Sequence, residues 1–359
     1  MKRSSMENRM GNRMENSMEK GMENNMKNIL RGLRSPYFWS LAFLAALLAF
    51  NIAFTERFGV VEIKDGHLYG SMIDILRRSV PTILLSCGMT LVIATGGIDL
   101  SVGALIAVAG AISALSARSG APLFVTVGLP LLAAAAAGLW NGFLVAKVGI
   151  QPFVATLILM VSGRGIAQLL CGGQIIKFSR PAFEFLSAGF VFGLPFGLYL
   201  AAGVLLAVWA LTRRTALGLF IESVGANPVA SRYVGISATR IKLLVYMFSG
   251  FCAGMAGLVL TTEIRGADAN NVGLNLELDA ILATVLGGTA MTGGRFYLAG
   301  SVVGALIIQT LTTTILARGV ARPATLVVKA FVVILISLVQ SPSFRARIFR
   351  GRGRKEARA

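Results

Sequence analysis

Asp99 stands in the run Ala94-Thr-Gly-Gly-Ile-Asp-Leu-Ser-Val-Gly103, a carboxylate and a glycine pair set inside otherwise apolar sequence. At membrane depth a lone acid costs about 2.5–3.5 kcal/mol on insertion scales unless it is paired, hydrated or capping a helix. Two uses of Asp99 stay open: capping the amides of a helix that restarts after the break, or lining a polar route for a solute. Ser101 belongs to the same run, and Asn141, Gln168, Thr284 and Gln309 place uncharged hydrogen-bonding groups in other apolar stretches. Such groups suit the hydroxyls of a polar solute, and suit equally the bonding of one helix to another. These six residues are the candidates for a translocation path.

Covalent chemistry has no comparable candidates. The sequence contains no GxxxxGK[ST] phosphate loop, no HExxH, no GxSxG and no Cys/His nucleophile pair. His67 is the only histidine, and Cys87, Cys171 and Cys252 lie in or beside apolar runs without a CxxC pairing. Metal and disulfide readings therefore fall together, and the cysteines read as small packing residues. No catalytic residue and no metal site are assigned. Arg164 and Lys329 also fall inside apolar runs and read as snorkelling or paired cations rather than ligand contacts.

The elements that must position these groups are membrane helices. Hydrophobic residues make up 55% of the chain and charged ones 14%, with a mean hydropathy of +0.74, too oily for a soluble domain of this length. Apolar runs of about twenty residues recur, the length that crosses roughly 30 Å of hydrocarbon. About ten crossings are proposed, at 36–54, 79–96, 100–117, 122–146, 150–171, 193–212, 242–262, 278–293, 297–317 and 323–341. The eighth is short enough to be re-entrant. The fold class is thus an all-α polytopic membrane protein with some short or broken helices. Gly96, Gly97, Gly287 and Gly288 mark the breaks, because glycine takes the left-handed conformation that ends a helix. A break at that depth survives only where protein or a watery cavity satisfies the freed backbone groups. Gly138-xxx-Gly142, Gly250-xxx-Gly254 and Gly300-xxx-Gly304 read as close helix contacts. Gly96-Gly97 before Ser101-Val-Gly-Ala-Leu-Ile106 echoes Gly287-Gly288 before Ser301-Val-Val-Gly-Ala-Leu-Ile307. Duplicated transporter halves leave such echoes, and so does the limited alphabet of apolar helices.

A net charge of +18 raises the question of nucleic acid, which the distribution answers. Cations crowd the segment from Lys2 to Arg34, the stretch holding Arg213, Arg214, Arg232, Arg240 and Lys242, and the tail from Arg345 to Arg358. These are loops and ends, placed on the cytoplasmic side by the positive-inside rule, with basic tails against anionic lipid. No nucleic-acid partner is expected. Both termini inside requires an even number of crossings and turns 56–72, 172–192 and 263–277 outward, where Glu56, Glu62, Asp65, Glu263, Asp268 and Glu277 lie.

Within the middle basic stretch, Gly225-Ala-Asn-Pro-Val-Ala-Ser-Arg-Tyr-Val-Gly-Ile236 encodes a short helix. Asn227 suits the N-cap, Pro228 the first helical position and Gly235 the position just past the end, with Arg232 between them. So short a helix is either a plain connection or a surface gripped by another protein, since nucleation leaves it weak alone. Residues 1–34 are read as a disordered tail or a start placed too early: Met6 to Met26 recur every four residues, which drifts by roughly 40° per step from a helical stripe. Residues 35–342 form the membrane domain and 343–359 a basic cytoplasmic tail.

Several motifs in order now resemble a known family. Gly96-Gly-Ile-Asp-Leu-Ser-Val-Gly103, Trp140-Asn-Gly142, Gln151-Pro-Phe-Val-Ala-Thr156, the Gly225-Ala-Asn-Pro loop, and Glu277-Leu-Asp-Ala280 leading to Gly287-Gly288 and Gly293-Gly294 resemble the permease subunits of ribose-type sugar ABC importers. The resemblance spans about residues 70 to 340. Arg265-Gly-Ala-Asp-Ala-Asn-Asn271, Ile93-Ala-Thr-Gly-Gly97 and Ile158-Leu-Met-Val161 are most similar to galactofuranose permeases. The resemblance implies a monosaccharide permease of the bacterial inner membrane paired with a second, similar or identical permease chain. Two cytoplasmic ATPase domains of an ATP-binding cassette subunit, which hold the ATP and magnesium, and a periplasmic sugar-binding protein would complete the machine. The Asn227 to Gly235 helix would then couple to the ATPase. A cation-coupled secondary carrier is the alternative reading, with Asp99 a thin basis for it.

Overall fold

The computed structural model describes residues 38–340 apart from 56 and 65. The tails read at 1–34 and 343–359, and the acids Glu56 and Asp65, lie outside the described residues. Each proposed crossing overlaps a helix. These are α1 (Phe38–Phe54), α2 (Ser71–Ala94), α3 (Val102–Arg118), α4 (Leu123–Phe143), α5 (Pro152–Cys171), α7 (Phe196–Arg214), α10 (Ala238–Glu263), α11 (Leu276–Leu286), α12 (Leu298–Ala317) and α13 (Arg322–Gln340). Among the described residues, six helices are long and apolar enough to cross a bilayer alone: α2, α4 with its extension to Val148, α5, α7, α10 and α12. The chain is a multi-pass membrane protein.

Three differences have local causes. The crossing proposed at 278–293 stops at Leu286, because Gly288 (φ 92°) turns left-handed and the chain then loops through Gly293 and Gly294, both also at positive φ. Helix α2 begins at Ser71 rather than 79, its first turns carrying Asp74, Arg77 and Arg78, which dilute hydropathy without breaking the helix. Short elements join the long ones: helices α6 (Pro181–Ala188), α8 (Leu217–Ala226) and α9 (Pro228–Tyr233), a π-helical turn at Leu144–Val148, and three two-stranded antiparallel ladders. One ladder joins two of the segments proposed to face outward, and a backbone bond links the first segment to the chain just before α7. Ile176–Lys177 pairs with Gly266–Ala267, and the Leu68 amide donates to the Gly193 carbonyl at 2.9 Å.

Helices α2 and α10 form the centre. From Ser79 to Ala94 every residue of α2 is buried, as a helix walled on all sides by other helices must be. Small residues set the crossings, since lipid offers helices no hydrophobic push and close packing must hold them. An added Cβ at Gly250 of α10 would lie 2.3 Å from the Ala134 carbonyl oxygen of α4, and one at Gly138 2.3 Å from that of Tyr246. Gly304 of α12 likewise abuts Ala283 of α11, where a Cβ would lie 1.9 Å from the carbonyl oxygen. The buried cysteines are free thiols. Lys329 of α13 is buried and pairs with Asp279 of α11 at 2.9 Å, so this cation is matched within the protein.

Candidate functional site

The helix break is built by its own sequence. The amide of Thr95 closes α2 onto Leu91 and Val92, Gly96 follows at φ 76°, and α3 restarts after Ser101. Gly97 is at the break for space: a Cβ there would meet the Tyr246 hydroxyl at 2.4 Å. Tyr246 in turn donates to the Ile98 carbonyl at 3.4 Å.

Asp99 then ties the break to the start of α3 and to α10, and Ser101 carries the link on to α4. Its Oδ1 accepts from the Ser101 amide at 3.1 Å and the Ser101 hydroxyl at 2.6 Å, and its Oδ2 accepts from Ser249 of α10 at 2.8 Å. Asn141 of α4 completes the cluster by donating Nδ2 to the Ser101 oxygen at 2.9 Å. Asp99, Ser101 and Asn141 all have 0% exposure, and no ion pair reaches Asp99 among the described residues. Three donors onto one buried carboxylate supply the compensation that burial demands. In this conformation Asp99 anchors the restarted helix and joins it to α10. Asn141 Oδ1 is left without a partner.

The other path candidates are not gathered here. Exposed Gln168 donates to Asn270 at 3.0 Å, Thr284 donates to its own helix at the Ala280 carbonyl at 2.8 Å, and Gln309 reaches Thr313 at 3.4 Å. Arg164 fastens the 266–275 loop to α3, donating to the carbonyls of Val272 at 2.6 Å, Ala269 at 3.1 Å and Gly103 at 3.3 Å. Glu277, read as an acid of an outward loop, is instead 5% exposed in the first turn of α11, its Oε2 lying where a Cβ on Gly103 would come within 2.1 Å. Ser249, Tyr246 and Glu277 are the residues that sequence reading missed at this centre. The one available signal was polar residues within apolar α10, at Tyr246 and Ser249, spaced to share a helix face.

On the side of the basic stretch, α8 leads into α9. Asn227 Oδ1 accepts from the amides of Val229 and Ala230, both at 3.0 Å, Pro228 opens the helix, and Gly235 follows it at φ 82°. Its surface shows apolar groups to solvent: Val229, Tyr233 and Val234 are 60%, 88% and 74% exposed, a patch of the kind that marks a contact for another protein. Arg232 is exposed beside them. Asn227→Ala is expected to cost α9 about 1 kcal/mol. Exchange of the Val229 and Ala230 amides, followed by mass spectrometry, should speed up about fivefold.

Gly225, just before this helix, reaches the break itself. A Cβ at Gly225 would lie 1.8 Å from the Ala94 carbonyl oxygen, to which the Gly294 amide donates at 2.9 Å. The end of α2, the end of α8 and the loop after α11 therefore meet backbone to backbone. Gly287 packs elsewhere, on Gly300, where its Cβ would come within 2.3 Å of a backbone carbon.

Comparison with known proteins places this geometry. The family model for the permease component of branched-chain amino acid transport systems matches residues 71–337. The galactofuranose transporter permease protein YtfT of Escherichia coli strain K12 is 51% identical over 304 residues, covering 85% of this chain and 89% of that protein. The fructose import permease protein FruF of Bifidobacterium longum is 40% identical over 316 residues (86% and 89%), and the ribose import permease protein RbsC of E. coli K12 is 36% identical over 275 residues (76% and 85%). No solved structure matches the chain. With a helical membrane body, a family match across most of its length and relatives covered nearly end to end, this chain belongs to the branched-chain amino acid transport system permease component family.

Proposed function

We propose that this chain is the permease subunit of an ATP-driven importer for a monosaccharide, with galactofuranose the first sugar to test. The similarity to a galactofuranose permease, 51% over 85% of the chain, carries the proposal. The exposed, doubly capped α9 supports it, since a permease whose partner hydrolyses ATP needs a surface for that partner to move. In this reading the protein crosses the bacterial inner membrane ten times with both termini inside and pairs with a second permease chain. Its cytoplasmic ATP-binding cassette subunits hold the ATP and magnesium, and a periplasmic protein delivers the sugar. The segment 1–34 is a tail, 35–342 the membrane domain, and 343–359 a basic cytoplasmic tail. Asp99, Ser101 and Asn141 set the helix break beside the solute route, and Gln168, Thr284 and Gln309 lie along other helices as further contacts for sugar hydroxyls.

The test is uptake into proteoliposomes holding the permease and ATPase, with the sugar receptor added outside and ATP enclosed. Radiolabelled galactofuranose should accumulate in an ATP-dependent manner, with ribose and fructose as comparison sugars. Accumulation driven by a proton or sodium gradient without the ATPase would overturn the reading. In the same assay, Arg232→Glu, or a glycine linker in place of Pro228–Ser231, should lower uptake at least tenfold while membrane insertion is retained. ATP hydrolysis should persist. Unchanged transport would remove α9 from the coupling role.

A further inference from the structure

At the end of α2 away from the helix break, on the side proposed to face outward, lies a cavity of about 240 Å³. Tyr69 of the strand His67–Tyr69, Phe190 of the ladder before α7, Ala188 at the end of α6, and Asp74 and Arg77 of α2 stand on its walls. The bond from the Leu68 amide to the Gly193 carbonyl ties the strand to the ladder. His67 and Tyr69, two apart on the strand, both meet the Phe190 ring, with centroids 4.4 Å and 5.5 Å from it. Asp74 and Arg77, three apart on one face of α2, bring one charge of each sign to the lining.

Those two charges keep hydrogen-bonding capacity in reserve. Arg77 lies 3.8 Å from the Asp74 carboxylate and 3.9 Å from that of Glu263 on α10, both longer than a hydrogen bond. The Arg77 Nε is buried without a partner, and the Asp74 side chain is 60% exposed. A carboxylate only accepts and a guanidinium only donates, so together they suit groups that do both, as adjacent hydroxyls do. The rings of Tyr69 and Phe190 add apolar surface on which a second ring can lie. A ligand of either charge would set a like charge against Asp74 or Arg77, and a hydrocarbon would strip water from both. What fits is a neutral molecule with hydroxyls at its edge and C–H groups on its faces, which is a sugar. The volume falls below the roughly 300–1,000 Å³ of sites for drug-sized ligands, so the cavity suits one ring rather than a chain of them.

We propose that this cavity is an outward reception site for one monosaccharide, its hydroxyls bridging Asp74 and Arg77 and its ring lying on Tyr69 and Phe190. The site rests on the reading of the chain as a monosaccharide permease. The experiment is saturation-transfer difference NMR on the full-length permease with its ATPase in nanodiscs, without the receptor, using D-galactose, D-fructose and D-ribose as probes and glycerol as the control. One of the sugars should receive at least fivefold more saturation than glycerol. Asp74→Asn with Arg77→Gln should bring it to the glycerol level, and so should Ala188→Trp, which fills the cavity from an exposed wall position. Phe190→Ala serves if Ala188→Trp does not elute as a single species. No sugar signal above glycerol, or a signal unchanged in the variants, overturns the proposal. So does a loss of receptor affinity in the variants without any sugar signal in the wild type, which would give the rim of the cavity to the receptor. Receptor-driven uptake by the same wild-type preparation reports on the permease reading separately: silent spectra with intact ATP-dependent uptake remove the site alone, and absent uptake removes the reading beneath it.

Discussion

Gly225→Ala is expected to cut sugar uptake at least tenfold and to cost about 3 kcal/mol of stability. The added methyl would sit 1.8 Å from the Ala94 carbonyl oxygen and 2.6 Å from the Gly294 amide nitrogen. Both obstacles are backbone, so no rotamer change relieves them; the end of α8 must move off the end of α2. Because α9 follows two residues later, that movement shifts the surface proposed to receive the ATPase. Uptake in proteoliposomes and thermal unfolding in detergent measure the two effects. Gly235→Ala is the control: a Cβ there meets nothing within 4 Å, and only its φ of 82° exacts about 1 kcal/mol. A Gly225→Ala protein equal to wild type in both assays would show that α8 and the break do not touch in the working permease.

Asp99→Leu is expected to destabilise the protein by about 3–5 kcal/mol, as buried donors lose their acceptor. The Ser101 amide and the hydroxyls of Ser101 and Ser249 are those donors. Asp99→Asn keeps an oxygen for Ser101 and presents an amide to Ser249, whose hydroxyl can turn to accept, so its cost is about 1 kcal/mol. Flux and folding should fall together in Asp99→Leu, because the side chain is enclosed and fully bonded. Loss of flux in a Leu variant that melts like wild type would show instead that Asp99 meets the solute.

What was legible in the sequence was what is local. Asn227, Pro228 and Gly235 act within a single helical turn or two of one another, so their residue types alone specify α9. The helix segments were legible because hydrophobic runs report depth. Hydropathy carries no information on azimuth, however, so it could not say that Gln168, Thr284 and Gln309, all read as path candidates, make their hydrogen bonds outside the Asp99 cluster. Ser249 is separated from Asp99 by 150 residues, and only the packing of α10 against α2 through Gly88 and Ser249 brings it there. Glu277 was misread for a related reason: an acid beside a loop looks solvated until Gly103 is seen to leave room for it. The meeting of Gly225, Ala94 and Gly294 had no local signature, since glycine before a capped helix is explained equally well by the turn itself.

The Lys329–Asp279 pair has a consequence for a shortened chain. A buried lysine or carboxylate left without its partner costs several kcal/mol, and Lys329 and Asp279 are largely buried against each other. Each is relieved by the other. A chain that ended after α12 would lack Lys329 and leave the Asp279 carboxylate without its ion-pair partner inside the protein.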